Sequence, residues 1–445
     1  MVKGEPIPPF VKGGWGDFYT AARLGVTVGR GRLILDINSM PSPVKNHLPG
    51  AMQDLKSHIT SYAIQCGFDL VRITGADEFA EDREAALARI KAGQMDGLPW
   101  FTESRVRRGA DPQELLPGAR SIICLGLSYL GPDGAEAPGP GKGKVARYAR
   151  VKDYHRTMKR RMKSFVRGLE ESLETPVAAR WYVDDGPMLD RAAAARSGLG
   201  WFGKSTNILT QSHGSWVLLG QVVTDLELEP DPPLKKTCGT CVRCIVDCPT
   251  GAIVAPFVVD NARCISYQTI ENRGVIPLEM RPLIGDWIFG CDICQDVCPV
   301  NRKADLPLQP IPAAEAVGPS GQLDLAEILA LTEEEFRRRF QGTSIMRAKR
   351  VGLQKNACVA LGNNRDEAGV PALVSALETV EPLVRGHAAW ALGQIATPEA
   401  IKSLKRSLKS ESDPYVQEEI NAALLESRQR FLGKEGLGGE PEPAP

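Results

Sequence analysis

The sequence predicts an α+β chain made of a mixed α/β domain, a small cysteine-rich domain and a set of α-helical repeats. Three observations carry that reading. Helical patterns alternate with continuous apolar runs between about residues 52 and 235, as in layered α/β folds. Eight cysteines crowd into Cys238–Cys298, and two of them precede proline. Beyond residue 306 one short helical pattern recurs. The expected boundaries are 1–51 for an extension, 52–235 for the α/β domain, 236–305 for the cysteine-rich domain, 306–430 for the repeats and 431–445 for a tail.

Residues 1–51 are rich in Gly and Pro without a sustained period, so poor order is expected there, and Met52 is a candidate start of the native chain. MQDLKSHITSYAIQCGFD reads as an amphipathic helix from Met52, DLVRITG as the strand that follows, and about Glu81–Lys91 as a charged helix. Ser121–Tyr129 has the continuous apolar character of a buried strand. Gly131–Gly143 is a flexible excursion, and a basic helix is expected over about His155–Leu173. AARWYVDDG supplies another strand, PMLDRAAAARSG a helix with Pro187 in its first turn, and SWVLLGQVVTDLEL a second buried strand. Cys66, Cys124 and Cys358 fall in apolar periodic segments and are expected in the core.

Cys238, Cys241, Cys244 and Cys248 have the spacing C-x2-C-x2-C-x3-C-P. In bacterial ferredoxins that run gives three thiolates to one [4Fe-4S] cluster and the fourth to another. Cys291, Cys294 and Cys298 form a second run that is one cysteine short, and Cys264 lies between as the replacement. The crossed pattern assigns Cys238, Cys241, Cys244 and Cys298 to a first cluster and Cys248, Cys264, Cys291 and Cys294 to a second. Structural zinc favours paired C-x2-C knuckles, which explains neither the third cysteine of the first run nor the Cys-Pro pairs. Disulfides fit poorly with a chain that shows no secretory signal and scatters its other three cysteines. The segment is therefore ferredoxin-like and moves electrons.

Lys and Arg number 54 against 54 Asp and Glu, so a nucleic-acid partner would be held by a local patch and not by a global field. No apolar run approaches the ~20 residues of a membrane-spanning helix, and a cytoplasmic location is expected. After a proline-rich linker near Pro307–Pro319, KNACVALGN from Lys355 recurs as GHAAWALGQ from Gly386 and, more weakly, as EEINAALLE from Glu418. This period points to HEAT-like paired helices, each burying its apolar face on its neighbour. GKEGLGGEPEPAP is read as tail.

Gly198–Ser205, GLGWFGKS, matches the P-loop expression G-x-x-x-x-G-K-[ST]. A P-loop needs a strand before the glycines and a helix after them, and here that order is reversed, so a glycine-rich turn packed close to a large flat ligand is expected. Asp184 and Asp185 follow an apolar strand. One of them, Asp185 in particular, fits as the cap of the helix expected at Pro187. The pair can equally contain a proton donor whose pKa burial raises, and the residues alone leave both readings open. Arg337, Arg338, Arg339, Arg347, Lys349, Arg350 and Lys355 lie in one stretch without an acidic residue. A solvated face explains such a run, and so does a grip on several phosphates of a structured RNA.

WYVDDGPMLDRAAAARSGLGWFGKSTNIL, GSWVLLGQ, the cysteine segment, SYQTIENRG (Ser266–Gly274) and GDWIFGCDICQDVCPVN together resemble the epoxyqueuosine reductases, from about Met52 to about Leu425. The resemblance implies a cobalamin-dependent iron–sulfur enzyme that removes the epoxide oxygen of epoxyqueuosine at the wobble position of tRNA, giving queuosine, through cob(I)alamin reduced by way of two [4Fe-4S] clusters. It implies base-off cobalamin, in agreement with DYHRTM, where Met158 replaces the glycine of the D-x-H-x-x-G motif and His155 is left as a hydrogen-bonding or core histidine. The family's V-D-[TS]-[GA] motif falls on Val183–Gly186, which makes Asp184 the catalytic acid. Asp185 departs from that motif, and a like charge there is expected to raise the pKa of Asp184. Arg107, Arg147, Tyr148, Gly203, Lys204, Ser205, Asn207 and Asp292 match motifs that in the family line the corrinoid or substrate cleft. The basic stretch would hold the anticodon stem-loop, an external low-potential donor of ferredoxin or flavodoxin type would supply electrons, and a monomer is expected. Two other readings remain. A corrinoid iron–sulfur reductive dehalogenase shares the chemistry but typically carries a twin-arginine signal and no repeats, and a non-catalytic electron-transfer protein would dock its partner through the repeats.

Overall fold

The computed structural model describes residues 52–131, 139–307 and 321–435. The expected extension, the proline-rich linker from residue 308 and the last ten residues lie outside them. A four-stranded antiparallel sheet centres the first part, with Leu70–Gly75, Ser121–Ser128, Val217–Thr224 and Ala179–Tyr182 side by side in that order. Alternation along its strands fills two cores. Ile123, Leu125 and Val222 face helices Met52–Gln65 and Tyr154–Leu173, where Ile59, Met158, Met162 and Phe165 are fully buried. Ile122, Cys124 and Val223 face the opposite layer, with Met188 and the alanines of helix Asp190–Arg196. Covered on both sides, Ser121–Ser128 reads as an unbroken apolar run.

Cys66, Cys124 and Cys358 are buried, as their periodicity implied. The helix expected from Pro187 starts later. Its first residue is Asp190, and Leu189 precedes it without a side-chain cap. Asp185 therefore caps nothing. The Pro187 carbonyl is pressed against Gly109, where any Cβ would collide with it, so the chain is held in an irregular loop before it turns helical.

A second sheet crosses the expected domain boundaries. Lys142–Val145, from the end of the predicted excursion, pairs in parallel with Trp287–Phe289 and antiparallel with Gln322–Asp324. Gly143 is wedged so tightly under Ile288 and Leu325 that a Cβ would approach each within 2.7 Å. One continuous core then runs from Val145 through Ile265 and Phe289 to Leu353, Trp390 and Ala423. The three regions are separate in sequence and fused in packing.

The repeated motifs lie on helices Lys349–Asn364, Pro382–Ile395 and Pro414–Glu435, the last running five residues into the expected tail. The glycine of each leucine–glycine pair has a physical reason. A Cβ on Gly362 would come within 2.9 Å of Ala391 Cα, and one on Gly393 within 2.8 Å of Ala423 Cα, so each glycine lets the next helix approach backbone to backbone. The first two of these helices are buried almost throughout, as helices sandwiched on several sides are.

Candidate active site beside the cysteine cluster

The eight cysteines are half-buried free thiols. Burial raises the pKa of Cys244 and Cys298, and beyond burial Cys244 feels Cys238, Cys298 and Cys241, while Cys298 feels Cys238 and Cys241. Burial likewise raises Cys291, on which Cys294 and Cys264 act, and Cys264, on which Cys248 acts. These influences link Cys238, Cys241, Cys244 and Cys298 with one another, and link Cys264 to Cys248, Cys291 to Cys264 and Cys294. Cys294 is pushed up to about 12 by burial and Cys264, and it feels Cys244 and Cys248 as well, so the two sets meet there. Thiols so desolvated become thiolates when cationic iron binds, with release of protons.

A closed circuit of contacts runs from these thiols to Asp184 and back. Asp292, between Cys291 and Cys294 in sequence, is 1% exposed and accepts the Arg147 amide at 2.8 Å. Burial lifts its carboxyl to about 6 against the pull of Arg147. The Arg147 guanidinium pairs with Asp296 at 2.5 Å and lies 4.5 Å from the Trp216 ring centre. Tyr148 meets Tyr154 edge to face, and Tyr154 Oη donates to Asp184 Oδ2 at 2.9 Å. Burial, with Asp184 second, keeps the Tyr154 hydroxyl protonated far above its ordinary range, so it is a permanent donor. The Asp184 amide in turn donates to the Asp190 carboxyl. Arg191, next in the chain, donates to the Thr206 carbonyl and hydroxyl at 3.2 and 3.0 Å. Asn207 Nδ2 donates to Cys294 Sγ at 3.6 Å, which closes the circuit.

Asp184 itself is exposed and sits at φ 54°, in the left-handed region that few non-glycine residues enter and that aspartate enters more readily than most. A non-glycine residue held there marks a backbone position that its surroundings dictate. Asp185, expected to press on Asp184, instead accepts the Val183 amide and pairs with Lys159. Asp184 in turn acts on Asp190, whose carboxyl burial lifts to about 7 with Asp184 adding to the rise. Asp190 Oδ1 is enclosed without a hydrogen-bond partner. An acid ahead of an alanine run reads as an ordinary first-turn residue, and burial alone sets Asp190 apart.

Gly203, Lys204, Ser205 and Asn207 form the tip of a hairpin between Trp201–Phe202 and Ile208–Leu209, with no helix after the glycines, so the P-loop match has no phosphate cradle behind it. Lys204 Nζ instead donates to the Gly239 carbonyl of the first cysteine loop at 2.8 Å. His155 is hydrogen-bonded, as expected, with Nδ1 2.6 Å from Asp153 Oδ1 and its ring stacked on Tyr154. Arg107 lies outside the circuit. It is exposed and pairs with Glu103, although its helix, Glu103–Ala110, abuts the Asp184 loop through Gly109.

The basic stretch divides. Arg337, Arg338, Arg339, Arg347 and Lys349 reach the surface, with Arg337, Arg339 and Arg347 paired to Glu333, Glu327 and Glu271. Arg350 and Lys355 do not belong to an RNA-facing surface. Arg350 is clamped by Glu381 and Glu333, and Lys355 is 0% exposed with Nζ donating to the Asn272 and Gly274 carbonyls at 2.8 and 3.1 Å. The partners come from elements far away in sequence, so counting charges along the chain could not find them. Lys402, Lys405, Arg406 and Lys409 line an open groove on helix Pro398–Ser407 and the turn after it, a second basic row that the sequence reading missed.

Three family descriptions match the chain: "Epoxyqueuosine reductase QueG, DUF1730" over residues 109–185, "4Fe-4S double cluster binding domain" over 237–301 and "HEAT repeats" over 344–425. The chain is 37% identical to the epoxyqueuosine reductase of Escherichia coli (strain K12) over 78% of its own length and 91% of that protein's. It is 32% identical to that of Bacillus subtilis (strain 168), over 86% and 98%. Among solved structures it is similar to a selenomethionine-labelled epoxyqueuosine reductase, with a TM-score of 0.79 and 31% identity over 85% of this chain and 100% of that one. It is similar to an epoxyqueuosine reductase in complex with an epoxyqueuosine-modified stem loop of tyrosine tRNA as well, with a TM-score of 0.78 and 31% identity over 85% and 100%.

Proposed function

The chain belongs to the epoxyqueuosine reductase family, and from that premise we propose how its residues carry out the reaction. The enzyme reduces epoxyqueuosine in tRNA to queuosine. Two electrons and two protons are consumed for each epoxide, and its oxygen leaves as water. The observation that carries the residue roles is the circuit linking Asp184 to Cys294, because it joins a proton source to an electron source around one cleft.

Asp184 protonates the departing oxygen. Tyr154 fixes the carboxylate by donating to Oδ2, and Asp190 holds the backbone of the loop through the Asp184 amide. The two thiol sets hold two [4Fe-4S] clusters, the Cys294 set facing the hairpin tip. Cobalamin suits the cleft on two counts. Trp201 Nε1 and Arg147 Nε are buried polar atoms without partners, as donors awaiting a polar ligand would be. The nearby imidazole of His155 is engaged by Asp153, which agrees with a base-off corrinoid. Bound there, cobalamin would supply a strongly reducing centre that the clusters recharge. Arg147, Tyr148, Gly203, Lys204, Ser205, Asn207 and Asp292 would hold its edge, while Arg107 is better suited to approaching substrate from outside.

Arg337, Arg338, Arg339, Arg347 and Lys349, joined by the Lys402–Lys409 row, grip the phosphates of the anticodon stem-loop. An external low-potential carrier of ferredoxin or flavodoxin type delivers electrons, and the protein acts as a monomer. No described helix is long and apolar enough to cross a membrane.

The test is anaerobic incubation of cluster- and cobalamin-loaded protein with a low-potential reductant and epoxyqueuosine-containing tRNA, followed by mass spectrometry of the nucleosides. Loss of one oxygen is expected. Unchanged epoxyqueuosine with every cofactor loaded would overturn the proposal.

A further inference from the structure

The two cysteine sets face different surroundings. Beside Cys264, Cys291 and Cys294 the chain is closed, with Ile265 3%, Phe289 0% and Asp292 1% exposed. Beside Cys241 and Cys244 it is open. Val242 and Val246 are 44% and 73% exposed, although each lies within two residues of a cluster ligand. Single exposed valines are unremarkable, but these two lie on one turn between cysteines of the first run and form an apolar patch with no partner among the described residues. Arg243 stands exposed between them, and Arg302 and Lys303 are exposed at the end of turn Pro299–Lys303, which leads directly from Cys298. None of the three cations makes a salt bridge among the described residues, and the acid on the same turn is Asp247.

We propose that this face is the docking surface for a small acidic one-electron carrier protein. Val242 and Val246 form its apolar centre, and Arg243, Arg302 and Lys303 form its basic rim. The inference rests on the reading that an external carrier feeds the enzyme, and it assigns where that carrier lands. Charge complementarity selects the occupant: an acidic partner meets the rim, while its own apolar contact area covers the valines. An RNA backbone would satisfy the cations and leave the valines in water. Each encounter would move one electron from the reduced carrier to a cluster held by Cys238, Cys241, Cys244 and Cys298, and the carrier would depart oxidised by one electron. Two encounters supply the electron pair that, with two protons, releases the epoxide oxygen as water. The closed set around Cys294 is thereby placed on the inner leg of the route, toward Asn207 and the Asp184 loop.

The experiment follows anaerobic oxidation of reduced flavodoxin by the full-length, cofactor-loaded protein in stopped flow, at low and high salt. Wild type is compared with Val246→Glu and with the double variant Arg302→Glu/Lys303→Glu, and iron content, dithionite-driven turnover and tRNA affinity are measured in parallel. Both variants are expected to lose about tenfold in the second-order rate. The double variant should also lose the salt dependence, with iron content, dithionite-driven turnover and tRNA affinity unchanged. Variants that oxidise flavodoxin as fast as wild type would overturn the docking surface and leave the external carrier standing. Lost tRNA affinity with unaltered flavodoxin oxidation would assign the face to RNA and likewise overturn the proposal. A wild-type protein that accepts electrons from neither flavodoxin nor a [2Fe-2S] ferredoxin, yet turns over with dithionite, would remove the carrier reading itself.

Discussion

Asp190 and Lys355 are both titratable groups whose charge the protein suppresses, one beside the Asp184 loop and one between the cysteine-rich region and the repeats. Burial lifts the Asp190 carboxyl to about 7 and lowers the Lys355 ammonium to about 7, the latter with help from Arg273 and Arg281. Their surroundings differ. Lys355 Nζ donates to two carbonyls, close to a fully buried pair of Arg281 with Glu419, and it is satisfied where it stands. Asp190 keeps an enclosed oxygen without a partner next to an exposed carboxylate in a left-handed backbone. A perturbed group is a candidate for chemistry where something is left unsatisfied, and a structural clamp where nothing is.

The comparison can be broken or sharpened by replacement. Asp184→Asn is expected to have the largest effect, a loss of about 10^3-fold or more in turnover, with iron content unchanged. Retained activity would remove the site from this loop. Arg281→Ala should leave Glu419 charged and buried and cost about 3–5 kcal/mol in urea unfolding without touching the chemistry, and Arg281→Met/Glu419→Leu should recover most of that.

Titration of stability separates the two suppressed groups by sign. The folded pKa of Asp190 lies above its ordinary 3.8, so its contribution falls as pH rises from about 4 to about 7, and Asp190→Asn should remove that fall. The folded pKa of Lys355 lies below its ordinary 10.5, so its contribution is lost as pH drops from about 10.5 to about 7, and Lys355→Met should remove that slope. Identical wild-type and variant pH curves would show that neither group is perturbed. The smallest effect is expected on RNA binding. Arg338→Ala/Lys349→Ala should weaken tRNA several-fold and lower the slope of log affinity against log salt by about 1–2, whereas Lys355→Met leaves that slope unchanged.

Much of the site was legible because its chemistry is local. The cysteine spacing alone proposes two ligand sets, whose thiols lie near enough in the fold to act on one another, and a four-residue motif directs attention to Asp184. Helices and buried strands of the first region follow from periodicity within a few residues. What could not be read depends on distant elements. Asp185 reads as a helix cap until Pro187 is seen pinned against Gly109, which delays the helix to Asp190. Arg350 and Lys355 read as surface cations until Glu381 and the Asn272 and Gly274 carbonyls arrive from elsewhere. Tyr154 was hidden beside a more conspicuous histidine, and only the folded chain brings its hydroxyl to Asp184.

The sheet that joins Lys142–Val145 to Trp287–Phe289 and Gln322–Asp324 sets a timetable for the nascent chain. Its middle strand is synthesised well before either neighbour. At about 5–20 residues per second the last strand follows on the order of ten seconds or more later. Until Trp287–Phe289 emerges both edges of Lys142–Val145 are open, one edge stays open until Gln322–Asp324 arrives, and an open edge is a template for the wrong partner. All eight cysteines emerge before that final strand. A fragment ending at the expected boundary near residue 305 would therefore carry every cluster ligand on a sheet with an unpaired edge. Iron loading and completion of the fold are thus steps that the cell must coordinate in time, and the repeats close the structure that the clusters occupy.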